Sequence, residues 1–451
     1  MLQVAVVGSG PSGVYAAQGL VQQDRVPGVR VDVLDRLPCP YGLVRYGVAP
    51  DHEKIKSLQG TLRTVLEHER VRFLGGVRVG PDGLPAARLR ELYHAVVYCV
   101  GAATDRHLGV PGEELPGSWS ATDFVSWYSA HPDVVSGGFV AGARTAVVIG
   151  VGNVAVDVTR ILARGAAELS PTDMPQAALA ALSDSRVREI RMVGRRGPSQ
   201  ARFTTKELRE LGGLPDTDVL VDPAELALDP AYADPSGLPA AQRRNIEVLR
   251  GWAERPRTAG SRRIRLRFFL RPVALLPDAT GRVGAVRFER TLPDGRGGVT
   301  GTGRYEDVEA QLVLRSVGYR GVPLADLPFD ADRGTVPHVA GRVLRNGSVA
   351  PGEYVAGWIK RGPTGVIGTN RPCAKETVAS LLEDAPALAL REVPPDPLAA
   401  LRSEGLRPVG WSDWQSIERA EAELGASLGR GVVKLPDWES LMRAAGGQDA
   451  R

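Results

Sequence analysis

Two hydrophobic periods follow one another along this chain, and the points where they change define its organisation. Val4-Ala5-Val6-Val7 is a short, unbroken apolar run, the pattern of a strand covered on both faces. It passes straight into Gly8-Ser9-Gly10-Pro11-Ser12-Gly13, after which a helical period is predicted from Val14 to Gln22. A second strand is predicted from Val29 to Leu34, ending at Asp35, and another from Ala95 to Val100. The same succession then recurs. Ala146-Val147-Val148-Ile149 runs into Gly150-Val151-Gly152-Asn153-Val154-Ala155, a helix is predicted from Val154 to Arg164, and a strand from Val187 to Val193. Strands over 264–276, 283–290 and 312–317 complete this second unit. Near the end come a strand from Tyr354 to Trp358, a Gly-rich turn and a helix from Ala374 to Glu383. The Pro- and Gly-rich stretch 36–56 reads as a long loop, and 386–410 as a loop with short helices. The stretch beyond 410, with Trp411, Trp414 and Trp438, reads as packed.

A strand that ends in a glycine turn and opens a helix turns backbone N–H groups and the helix's positive end toward a pyrophosphate. Two such turns predict two dinucleotides, and hence an α/β chain with two Rossmann-like domains. Asp35 lies where an adenosine ribose hydroxyl is bound in FAD-type sites. At the equivalent place in the second unit stand Arg195 and Arg196. A carboxylate there would repel a 2′-phosphate, whereas paired guanidiniums offer it charge-assisted forks, so the second nucleotide reads as NADP.

Composition narrows the chemistry. The chain has 451 residues, long for a single core. Its three cysteines, Cys39, Cys99 and Cys373, form no C-x-x-C pair, which excludes a dithiol relay and four-cysteine iron–sulfur ligation. No metal site is expected, and electrons must pass through a bound organic cofactor. The net charge is only +4, but residues 186–209 carry eight Lys/Arg against two acids, and 243–271 carry ten Arg against two. Such faces invite a 2′-phosphate or an acidic protein. No aromatic-interleaved basic stripe is present, so nucleic acid is not an expected partner. No apolar run reaches membrane-spanning length and the first strand begins almost at Met1, so a cytoplasmic protein is expected.

The run Pro40-Tyr41-Gly42-Leu43-Val44-Arg45-Tyr46-Gly47-Val48-Ala49-Pro50-Asp51-His52 resembles the signature of adrenodoxin-reductase-type ferredoxin–NADP⁺ reductases, the bacterial members above all. Three further stretches resemble the same family: Gly152 to Ala155 with Asp157; Arg195 to Pro198 running to Phe203-Thr204 and Lys206 to Leu211; and Gly357 to Asn370. The resemblance implies an FAD domain from residues 1–104 and 321–451, with an NADP domain, 105–320, inserted between them. It implies FAD contacts from Gly8, Gly10, Pro11, Ser12, Gly13, Asp35, Leu43, Val77, Trp358, Gly365, Val366 and Ile367. NADP contacts are implied for Gly150, Gly152, Asn153, Val154, Arg195, Arg196 and Glu207, with Gly365 also on the nicotinamide side. His52 and Glu210 match positions close to hydride transfer. Two positions depart from the pattern: Asp35 stands where many relatives have Glu, and Cys373 where they often carry Asp.

The activity implied is hydride transfer from NADPH to FAD, then single electrons to a ferredoxin, an acidic iron–sulfur protein with a cytochrome P450 as one downstream candidate. The alternative on the same fold is an NADPH-dependent flavin monooxygenase or a quinone/diaphorase-type oxidoreductase.

Overall fold

The computed structural model describes residues 1–102, 104–134, 138–255 and 260–446. The chain divides into two compact units, Met1–Thr104 with Tyr319–Arg451, and Asp105–Gly318. The second boundary thus follows Gly318 rather than residue 320. No helix among the described residues is long and apolar enough to cross a membrane.

The first unit is built on a seven-stranded sheet. Its five parallel strands run in the order Ser348–Val355, Ala95–Tyr98, Gln3–Val7, Arg30–Leu34, Val71–Leu74. Two short antiparallel strands, His338–Val339 and Arg342–Arg345, extend one edge. Val4 and Val6 face a core shared with the helices Pro11–Val21 and Asn370–Leu388, while Ala5 and Val7 face a second core with the helix Ala86–Leu92. Burial on both faces is why the first strand reads as an unbroken apolar run. Its helix starts at Pro11, earlier than the predicted Val14, because proline at the first helical position needs no N–H partner.

The predicted loop 36–56 contains two short helices, Leu43–Tyr46 and Glu53–Lys56. It folds back on the first glycine turn: Tyr41 N donates to Ser9 O at 3.1 Å. A Cβ on Gly42 would lie 2.9 Å from Gly10 Cα, so that crossing requires glycine at position 42. The predicted helix Ala374–Glu383 extends to Asn370–Leu388, with Pro386 tolerated in its last turn. Beyond it, Asp396 caps the helix Pro397–Ser403, and the helices Trp411–Ser427 and Trp438–Ala444 pack on the first core.

The second unit centres on six parallel strands in the order Ser118–Ser120, Leu312–Arg315, Thr145–Ile149, Glu189–Val193, Arg262–Arg267, Thr217–Val221. Helices cover one face, including Ala121–Tyr128, Asn153–Ala163 and Ala240–Ala253. On the other face, the core is shared with an antiparallel sheet of Leu270–Pro277, Val283–Pro293 and Val299–Glu309. The single strand predicted over 264–276 is therefore two strands in different layers. The chain turns between them at Phe269, whose φ of +57° no strand residue adopts. Glu225 fixes the turn by accepting from Phe268 N at 2.9 Å.

Candidate dinucleotide sites

Each unit ends its central strand in the same construction. In the first, Gly8 has φ +111° and a Cβ there would meet the Cys99 carbonyl oxygen at 2.5 Å. In the second, Gly150 has φ +143° and a Cβ would collide with the Ser316 carbonyl oxygen. The first glycine of each turn thus abuts the carbonyl just past the neighbouring parallel strand, which only glycine permits. A Cβ on Gly13 would collide with the Gly8 carbonyl oxygen, so this glycine lets the helix approach the turn. Ala155, fully buried, holds the corresponding place in the second unit. The middle glycines are open: Gly10 has only Gly42 Cα near, at 3.8 Å, and Gly152 has no atom within 4 Å.

Both helices start bare. Pro11–Val21 and Asn153–Ala163 have glycine N-caps, no side-chain cap bond and no acidic residue in the first turn. Their first N–H groups and positive ends are left for an anion. In the first unit the buried Ser12 hydroxyl lies beside the Cys99 thiol and, among the described residues, bonds to no nitrogen or oxygen. Burial pushes that thiol's pKa up to about 12, so it stays protonated. These features fit a pyrophosphate at each turn.

Asp35 braces the first turn. Its carboxylate accepts from Ser9 N at 2.8 Å, Ser9 Oγ at 2.5 Å and Leu37 N at 2.9 Å. Burial raises its pKa, and these hydrogen bonds oppose the rise. Gly357 closes over the turn from the C-terminal segment: its φ is +79°, and a Cβ would stand 2.5 Å from Ser12 Oγ. Gly357 N donates to Cys373 Sγ at 3.3 Å, giving this departure from the family pattern a defined local role.

Further on, the turn Gly362 to Gly368 runs directly into the helix Asn370–Leu388 through a short helical turn, Ile367–Thr369. Gly365 has φ +84°, and a Cβ would be 2.6 Å from Thr369 Oγ1. That hydroxyl accepts from Val366 N at 3.1 Å. Gly365 and Val366 are exposed, with Val366 at 60%. Trp358 opens the helical turn Trp358–Arg361 instead of closing a strand, and its ring lies 5.4 Å from that of Tyr319. Leu43 is exposed at the start of its short helix, whereas the Val77 side chain is buried in the core and leaves only its main chain for a ligand.

In the second unit the strand Glu189–Val193 leads to Arg195 and Arg196, whose main chain is pinned. Thr291 Oγ1 donates to Arg195 O at 2.9 Å and Phe269 N to Arg196 O at 3.2 Å. The loop after them is tied to the glycine turn by Arg202 N to Val151 O and Thr204 N to Asn153 Oδ1, both 2.8 Å. Arg196 has its pKa lowered by burial and then by the charges of Arg195 and Arg202. Among the described residues no carboxylate pairs with any of the three. Among the described residues, nothing hydrogen-bonds the buried Glu207 Oε2.

The two residues expected near hydride transfer have different surroundings. His52 is half-buried at the start of the helix Glu53–Lys56, and its carbonyl accepts from Ile55 N and Lys56 N. Glu210 Oε2 lies 3.3 Å from Arg160 Nη1, and Arg160 Nη2 lies 3.0 Å from Asp157 Oδ1. Arg160 is 1% exposed, so two carboxylates compensate a charge buried in the nucleotide-turn helix. Sequence reasoning missed Arg160, whose signal was a charge at a core-facing position of that helix. The basic run 243–271 is also less open than its composition implies. Arg250 donates to Tyr232 O, Arg262 to Ala163 O, and Arg267 and Arg271 pair with glutamates. Arg257 of that run lies outside the described residues. His107, Glu113 and Glu114 have side-chain ligand atoms within 4.8 Å of one another, but Arg315 pairs with Glu113 at 3.0 Å and repels a cation there.

These paired turns define a two-dinucleotide oxidoreductase fold. Residues 2–193 match the pyridine nucleotide-disulphide oxidoreductase family. In this chain Cys39, Cys99 and Cys373 are all free thiols. The chain is 45% identical to the NADPH-ferredoxin reductase FprA of Mycobacterium tuberculosis, over 98% of both sequences. It is 41% identical to the mitochondrial NADPH:adrenodoxin oxidoreductase of Homo sapiens, over 98% of this chain and 92% of that protein. The solved structure of M. tuberculosis FprA in complex with NADPH matches with a TM-score of 0.92 at 44% identity, covering 99% of this chain and 100% of that one. The chain belongs to the family of NADPH-ferredoxin and NADPH:adrenodoxin reductases.

Proposed function

We propose that this chain is an FAD-dependent ferredoxin–NADP⁺ reductase. The observation that carries the reading is the pair Arg195 and Arg196, without a carboxylate partner, tied by the following loop to a second bare glycine turn. That arrangement selects a 2′-phosphorylated nicotinamide donor, in a chain with no dithiol to accept its electrons. FAD, when bound, supplies the hydride acceptor and the outlet for single electrons.

The residues assigned to FAD are Gly8, Gly10, Pro11, Ser12 and Gly13 at the pyrophosphate, Asp35 at the ribose, and Leu43, Val77, Trp358, Gly365, Val366 and Ile367 around the ring. The positive end of the helix Asn370–Leu388, just past Gly365 to Ile367, favours negative charge beside it. Gly150, Gly152, Asn153 and Val154 are assigned to the second pyrophosphate, Arg195 and Arg196 to the 2′-phosphate, and Glu207 to the same nucleotide. His52 is assigned to proton or charge balance close to the site of hydride transfer. Glu210 acts by holding Arg160, and through it the nucleotide-turn helix.

The acceptor we propose is a ferredoxin, in line with the likeness to the mycobacterial reductase, with a cytochrome P450 downstream and the cytoplasm as location. Anaerobic stopped-flow mixing tests the reading. NADPH should bleach the bound flavin, and added ferredoxin should restore its absorbance. A flavin that stays oxidised overturns the proposal. NADPH consumption driven by oxygen or a quinone, with ferredoxin adding nothing, gives a monooxygenase or diaphorase instead.

A further inference from the structure

Arg202 is the third member of the cationic group, and neither the nucleotide-binding pattern nor the family signature assigns it a role. Its main chain is not free to wander: the N–H is bonded to Val151 O, inside the second glycine turn, at 2.8 Å. Two residues later Thr204 N is bonded to Asn153 Oδ1, so both ends of this short segment are anchored to the turn that faces the pyrophosphate. The side chain is exposed, as is that of Arg195, while Arg196 is half-buried.

Two other pairs of neighbouring arginines in this chain share a carboxylate. Arg191 and Arg265 share Glu189, and Arg267 and Arg290 share Glu306. Among the described residues Arg195, Arg196 and Arg202 share none, and the charge of Arg202 bears directly on Arg196. Three guanidiniums held together without a counter-charge repel one another, and a dianion placed among them relieves that repulsion.

We infer that Arg202 is a third ligand of the 2′-phosphate, clamping it from the glycine-turn side while Arg195 and Arg196 approach from the strand end. The inference rests on the proposed NADP site, and it assigns the specificity for the phosphorylated nucleotide to three residues rather than two. Because Arg202 is exposed and is held in the fold through its main chain, Arg202→Ala leaves the fold intact, which an unchanged melting temperature checks.

The test is calorimetric binding of 2′,5′-ADP and of 5′-AMP to the purified holoprotein, for Arg202→Ala and for the double variant Arg195→Ala/Arg196→Ala. Arg202→Ala should weaken 2′,5′-ADP about tenfold, leave 5′-AMP unchanged, and lower the salt dependence of 2′,5′-ADP binding. Unchanged 2′,5′-ADP affinity in Arg202→Ala overturns the inference, as does an equal loss for 5′-AMP. The double variant separates the two claims. If it weakens 2′,5′-ADP while Arg202→Ala does not, the NADP site stands and only the third ligand fails. If it leaves 2′,5′-ADP unchanged, the assignment of the strand-end pair fails on its own account.

Discussion

Arg45 and Glu421, far apart in sequence, form a two-pronged ion pair with bonds of 2.6 and 3.1 Å, shut away from solvent on both sides. The Arg45 guanidinium also lies 5.0 Å from the Trp414 ring and 5.1 Å from the Tyr46 ring. Glu421 accepts in addition from Leu435 N at 2.9 Å, and Lys434 Nζ donates to Arg45 O at 2.6 Å. The signature loop is thereby fastened to the C-terminal helices. Removing one partner strands a buried charge, at a cost of about 3–5 kcal/mol. Glu421→Ala should therefore lower the melting temperature sharply and loosen flavin retention. Thermal melts with and without added FAD measure both, and a Glu421→Ala protein that melts like the parent would show the pair to be dispensable.

Selectivity for the nicotinamide donor is a separate matter. Arg195→Ala with Arg196→Ala should raise the KM for NADPH and narrow the gap between NADPH and NADH. Each charge-assisted hydrogen bond to the phosphate is worth about 1.5–3 kcal/mol. Steady-state kinetics with both donors provide the comparison, and an unaltered preference would place the phosphate elsewhere.

Gly357 offers a test of the flavin site. Its φ of +79° disfavours any side chain, and a Cβ would press on Ser12 Oγ. The backbone strain alone is about 1–3 kcal/mol. Gly357→Ala should reduce the flavin bound per polypeptide, read from the visible absorbance of purified protein, more than it reduces nicotinamide affinity. Full flavin content in this variant would remove the assigned closure of the first turn by the C-terminal segment.

Acid sensitivity should trace partly to Glu353. This residue is 2% exposed and accepts from Arg345 at 2.6 and 2.9 Å, from Arg90 at 3.1 Å and from the Tyr98 hydroxyl at 3.2 Å. Burial favours its neutral form, but Arg345 and Arg90 outweigh that and hold its pKa below the ordinary 4.5. A lowered carboxyl pKa means that the unfolded chain binds the proton more readily. The stabilisation is complete above 4.5 and drains away as pH falls toward the lower folded value. Glu353→Gln should be less stable at neutral pH and show a flatter loss of stability below pH 4.5. Denaturant titrations across that range measure the slopes, and parallel curves would exclude Glu353 as a contributor.

The sequence made the local features of the sites readable, because each depends on a few adjacent residues. Gly8 and Gly150 announce positive-φ turns, the apolar runs before them announce strands covered on both faces, and Arg195-Arg196 announces a cationic pair at the strand end. What could not be read depends on packing between distant segments. The stretch 264–276 looked like one strand because its apolar residues are continuous, yet the left-handed turn at Phe269 sends its halves to different layers. Arg160 resembled any helix charge until folding brought Glu210 beside it. The stretch 36–56 read as a loop because its two helices are single turns held by the glycine turn and the C-terminal helices rather than by their own periodicity.

The strand Ser348–Val355 has a consequence for how the protein is made. It pairs with Ala95–Tyr98, so the first sheet is incomplete until more than two hundred intervening residues have been synthesised. The inserted unit, contiguous in the chain, has all its strands available sooner and can mature on the ribosome while its neighbour waits as an open edge. Newborn chains stalled before residue 348 would expose the Ala95–Tyr98 edge, making that interval the period when chaperones matter most for this polypeptide.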